Sequence, residues 1–243
     1  MRTGPDDTIV APWAAWVLVL LVAVVANLMN NEGAPRFYLL TSLVSAAVLL
    51  AIGRAAGLSW RELGLARDSW RVGLVWAATI IALVATVYAM GAALPATRGL
   101  FEDNRVQVDS AWELVFQAFI RIPFGTVLLE EVLFRGVILA LAARTMGWLR
   151  GAMLSSVLFG LWHILPARAA AGANPTIEAV AQAGGSTFGL SLAVVGSVFA
   201  TALAGLVFCW LRVRSGSLFA SMGLHWATNG LGYLVAAVVR GGW

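Results

Sequence analysis

The chain has 243 residues, of which 60% are hydrophobic and 12% charged, with a mean hydropathy of +0.86. A soluble domain carries about 25% charged residues, so a water-exposed globular fold is excluded. A lone cysteine, Cys209, excludes an intramolecular disulfide and a thiolate zinc cluster, and a net charge of +4 without any basic block excludes a nucleic-acid partner.

Apolar runs divide the rest into spans. The first, Ala11 to Met29, is too long for the apolar core of a signal peptide. The second runs from Phe37 to Gly53 between Arg36 and Arg54. A polar linker, Ser59 to Arg71, has Trp60 and Trp70 near its ends, where a headgroup interface favours them. Trp13, Trp16 and Trp148 read as anchors of the same kind. The third span covers Val72 to Leu94, and the fourth Ile122 to Ala143. The fifth lies between Arg150 and Arg168. A loop with Pro166, Pro175 and Gly184-Gly185 leads to the sixth, Ser186 to Leu211, and Ser217 to Val239 forms the seventh. The expectation is an all-α bundle of about seven transmembrane helices, treated as a single membrane domain over residues 1–243. Residues 1–94 supply its first helices and linker, and residues 112–240 its core.

Arginine placement orients it. With the N-terminus inside, the cytoplasmic segments hold Arg2, Arg54, Arg61, Arg67, Arg71, Arg144, Arg150, Arg212 and Arg214. The outer ones hold Arg36, Arg98, Arg105, Arg168 and Arg240. Nine against five predicts a cytoplasmic N-terminus. The absence of lysine, of glycosylation-rich loops and of a targeting segment reads as a bacterial or archaeal cell-membrane protein.

Ionisable residues inside a membrane are costly unless paired or lining a cavity. The fourth span holds Glu130, Glu131 and Arg135, the fifth His163, the seventh His225 and Asn229, and the chain has only these two histidines. Counted at about 1.5 Å per residue from Arg144, Arg150 and Arg214, these groups lie roughly 17–23 Å from one membrane face. They therefore share a depth near the midplane. Glu131 and Arg135, four apart, share a helix face and predict an ion pair. Glu130, about 100° away, is left as the free carboxylate. Phe159 shares a face with His163, and Ser221 and His225 with Asn229.

These residues form three ordered motifs: Glu130-Glu131-Val132-Leu133-Phe134-Arg135 (EExxxR), Phe159-Gly160-Leu161-Trp162-His163 (FxxxH) and His225-Trp226-Ala227-Thr228-Asn229 (HxxxN). Together they resemble the family of CAAX prenyl proteases and bacteriocin-processing enzymes, over about Gln117 to Tyr233. The segment Ser59-Trp60-Arg61-Glu62-Leu63-Gly64-Leu65 also looks like one found ahead of that core. The resemblance implies an intramembrane endopeptidase in which Glu130 activates water and His163 helps to hold it. It implies that His225 and Asn229 stabilise the oxyanion and that Glu131 and Arg135 support the site. It requires no cofactor. The chemistry is coherent: peptide hydrolysis needs a base, oxyanion donors and an acid for the leaving amine.

Two other readings stand beside it. The same Glu130, His163 and His225 supply a ligand set for a zinc hydrolase, although neither histidine sits in an HExxH helix. A non-enzymatic immunity-type binder or transporter would also use a polar cavity, but transporters usually show internal repeats, and none is visible here. The expected partners are the lipid bilayer and a peptide or protein substrate in or at it, lipidated or not.

Overall fold

A computed structural model describes residues 8–170 and 186–241, and every regular element among them is helical. Helix α1 (Pro12–Leu28) begins at a proline, whose missing N–H costs nothing in a first turn. It runs on through a π-helical turn, Met29–Gly33, to the extended Ala34 that precedes Pro35. Helix α2 (Tyr38–Ala55) ends in a Schellman motif. There Gly57 takes φ +79°, its N–H reaches the Arg54 carbonyl, and the Leu58 N–H reaches the Gly53 carbonyl.

The linker after α2 is a tie rather than a spacer. The Ser59 backbone N–H and hydroxyl both donate to Glu62 Oε2 at 2.7 Å, and the Glu62 carboxylate also accepts from Arg144. Gly64, at φ +76°, lies against Arg212; a β-carbon there would stand 2.2 Å from the guanidinium. Arg212 in turn donates to the Arg61 and Glu62 carbonyls. Helix α3 (Trp70–Ala93) follows. It crosses the last helix where Gly223 faces Ala77 and Gly73 faces Ser217, small residues that let two backbones approach.

Helix α4 is one continuous run, residues 111–146, and it is the axis of the molecule. Ser110 caps it by accepting from the Glu113 N–H. Pro123 would break an α-helix, but here it lies within a π-helical stretch, Gln117–Val127, and a second such stretch covers Glu131–Ile138. Residues 129–142 are buried without interruption. At Gly147 the backbone turns with φ +81° and the chain doubles back as α5, residues 148–162. Gly151, Ser155, Phe159 and Trp162 on α5 are buried, and Phe159 and Trp162 pack edge-on against Phe134 of α4.

The expected fifth span, Arg150 to Arg168, is not a single helix. It breaks at His163 (φ −83°, ψ 4°) and resumes as a short α6, Ile164–Ala170. That break corrects the expected loop as well, because Pro166 lies in α6; Pro175 and Gly184-Gly185 lie outside the described residues. Helix α7 (Ser186–Ser215) is followed by Gly216 at φ +70° and by α8, residues 218–239, which contains a π-helical turn at Ala227–Leu231.

Among the described residues, four segments are long and apolar enough to cross a bilayer: Pro12–Gly33, Pro35–Ala55, Arg67–Ala93 and Ser191–Ser215. They leave Leu21, Val44, Val75, Leu83, Val195 and Phe199 more than half exposed. In water that surface would drive aggregation; in lipid it is the solvent-facing side. The fold is an all-α membrane bundle. Its apolar helices face outward, and the charged motif of α4 is enclosed.

Candidate functional site

The α4–α5 hairpin turns at Gly147, with Glu130 seventeen residues before it and His163 sixteen after. Similar lengths of helix return the two to one level, and Trp162 Nε1 donates to Glu130 Oε1 at 3.0 Å. Helix α8 brings His225 to the same level. Its Nε2 lies 3.6 Å from Glu130 Oε2, and His163 Nε2 lies 3.9 Å from the same oxygen. Both distances exceed a hydrogen bond. They leave room for one polar atom shared between base and imidazoles. Glu130 is 5% exposed, and its Oε2 has no hydrogen-bond partner among the described residues.

Each imidazole is held from behind. His163 Nδ1 bonds the Phe159 carbonyl at 2.8 Å, and a carbonyl only accepts, so Nδ1 carries the proton. His225 Nδ1 bonds Glu131 Oε1 at 2.9 Å and is protonated for the same reason. Phe208 stacks on the His225 ring at 5.2 Å, with 17° between the planes. Both Nε2 atoms are thereby turned toward Glu130.

Glu131 also pairs with Arg135 at 3.2 Å, and neither side chain is exposed at all. Aromatic faces supply much of the remaining environment of Arg135: the guanidinium carbon lies 3.9 Å from the Phe159 ring centre and 4.6 Å from that of Phe208. On the far side of α4, Ser155 Oγ donates to the Phe134 carbonyl at 2.7 Å, within the π-helical stretch. Glu131 is thus a buried junction, bonded to one cation and one imidazole.

Asn229 stands apart from the other five. It is exposed and lies on the π-helical turn of α8, lining the cavity with Glu130 and His163. His225 and Ser221, one and two turns before it, are buried. Three contributors escaped the motif reading. Trp162, which bonds Glu130, sits inside FxxxH at a variable position. Phe208 and Ser155 lie outside any motif; Phe208 stacks on His225, and Ser155 bonds the Phe134 carbonyl.

The cavity encloses about 700 Å³. Tyr38, Arg121, Thr126, Thr201 and Asn229 line it, together with residues between Leu100 and Val106. At the opposite end of the bundle the linker, Arg144 and Arg212 form the hydrogen-bonded cluster described above. Among the described residues no three carboxylate, imidazole or thiolate groups are arranged as a metal-ligand set.

A membrane bundle with a buried carboxylate facing two imidazoles in a polar cavity has the equipment of an intramembrane hydrolase. A model of the family described as type II CAAX prenyl endopeptidase Rce1-like matches residues 111–231, and over that region the chain belongs to the family. It is a multi-pass membrane endopeptidase of the CAAX type. No curated protein and no solved structure matches it.

Proposed function

We propose that the cavity hydrolyses a peptide bond of a membrane-associated or lipidated peptide or protein, with Glu130 as the base. One observation carries this reading: Glu130 Oε2 is buried and unbonded among the described residues, yet faced by two imidazole Nε2 atoms. Glu130 takes a proton from water as the water oxygen bonds to the carbonyl carbon, while His163 orients that water. The carbonyl oxygen becomes an oxyanion. His225 as imidazolium, stabilised through Nδ1–H by Glu131, and the Asn229 carboxamide donate to it. The proton held by Glu130 passes to the nitrogen as the C–N bond breaks, leaving a carboxylic acid and an amine.

Every proton transfer in this scheme uses side chains of the chain itself. Arg135 pairs with Glu131, and Glu131 keeps His225 oriented. Replacing Glu130 by Gln preserves size but removes the base, and general-base catalysis is worth about 10²–10⁴ in rate. Purified Glu130→Gln is therefore expected to lose at least about a hundredfold in kcat. Cleavage at the wild-type rate would overturn the assignment. Stoichiometric zinc in active protein, with activity lost on its removal, would replace the scheme by a metal-hydrolase one.

A further inference from the structure

Arg121 is a cavity cation with no carboxylate partner among the described residues. Arg105, the other guanidinium on the cavity wall, is gripped by Asp103 through two bonds of 3.0 and 2.6 Å. Arg121 forms no ion pair among the described residues. Its polar partner there is the Gln117 amide oxygen, at a long 3.4 Å. What holds it is an aromatic face: its guanidinium carbon lies 4.4 Å above the centre of the Tyr38 ring.

That platform is itself built. The Tyr38 hydroxyl bonds Thr126 Oγ1 at 3.0 Å. The ring lies flat on α4 only because residue 125 is glycine, where a β-carbon would meet the ring at 2.8 Å. A guanidinium mounted on a ring keeps its N–H edge free for an oxygen anion. With no ion-pair partner among the described residues, the Arg121 guanidinium has donors to offer an oxygen anion brought into the cavity by a ligand.

We infer that Arg121 is the specificity residue that receives the substrate's free C-terminal carboxylate. The inference rests on the endopeptidase reading above. Arg121 and Glu130 lie nine positions apart on one helix and line one cavity. That is at most roughly 13 Å along the axis, about four residues of extended chain. A peptide with its terminal carboxylate on Arg121 thus presents a bond a few residues upstream to Glu130. An internal segment of a longer protein brings no such charge.

The test uses the full-length protein in detergent and two prenylated, internally quenched peptides, identical except that one ends in a carboxylate and the other in a carboxamide. Charge-assisted hydrogen bonds predict that wild type prefers the acid by about tenfold or more, expressed in KM rather than kcat. Arg121→Gln brings the acid-to-amide ratio close to one, and Arg121→Lys restores part of it. Equal cleavage of both peptides by wild type, or an unchanged ratio in Arg121→Gln, overturns the inference. Glu130→Gln separates the two readings. It should bind the acid in preference to the amide by fluorescence anisotropy while failing to cleave either. If it cleaves normally, the base assignment falls, and the acid preference still decides the role of Arg121.

Discussion

Glu130 and Glu131 are chemically identical neighbours with different surroundings, and the surroundings separate their roles. Glu131 is bonded to Arg135 and His225, whereas Glu130 turns one oxygen to an indole and the other toward the cavity. Removing one partner of a fully buried ion pair strands the other charge, at about 3–5 kcal/mol. Arg135→Ala is expected to lower folded yield and activity together, whereas Glu130→Gln should lower activity at normal yield. Fluorescence-detected size-exclusion chromatography beside the cleavage assay distinguishes them. A well-folded, fully active Arg135→Ala would sink the supporting role of the pair. The aromatic cage makes a related point, because Phe159 touches both Arg135 and His163 and so couples the ion pair to the imidazole.

At the scale of elements, the linker and the π-helical stretches do what straight helices would not. The linker closes the Arg144–Arg212 end through Glu62 and Gly64. Gly64→Ala would meet both a left-handed backbone and the Arg212 guanidinium. The backbone effect alone is worth about 1–2 kcal/mol, so a lower midpoint of thermal unfolding in detergent is expected. An unchanged midpoint would show that the linker does not brace this end.

Glu62 adds a pH dependence to the same contact. Partial burial alone would raise its carboxyl, but hydrogen bonds from Arg144 and Ser59 outweigh burial and pull it down from 4.5 to about 2. The stabilisation is therefore complete above pH 4.5 and is lost as pH falls toward 2. Screening reduces its size, because the pair is about one-third exposed. Thermal unfolding followed across that window should fall less steeply in Glu62→Gln than in wild type. Identical slopes would remove Glu62 from the account.

For the whole molecule, the two ends differ. One holds the hydrogen-bonded cluster of the linker, Arg144 and Arg212; the other holds the segment from Leu100 to Val106, which lines the cavity. From the arginine count we propose that the linker end faces the cytoplasm and that the cavity opens toward the opposite side. A single cysteine at Asn229, in a Cys209→Ala background, is expected to react with an impermeant thiol reagent added from the non-cytoplasmic side. Labelling only from the cytoplasm would reverse the orientation.

The amino-acid order by itself determined the membrane class, the helical composition, the Glu131–Arg135 pair and the shared depth of Glu130, His163 and His225. Those follow from hydropathy, from the four-residue face of a helix and from its constant rise, all of which act along the chain. Tertiary structure alone decided the rest. It broke the fifth span at His163, mounted Arg121 on Tyr38, and brought Trp162 to Glu130 and Phe208 to His225. It also put Asn229 on the wall of the cavity that Glu130 and His163 line. Each depends on contacts between residues distant in the chain or on a local change of helical pitch. Periodicity cannot report either, because it assumes a uniform helix and says nothing of what lies across from it.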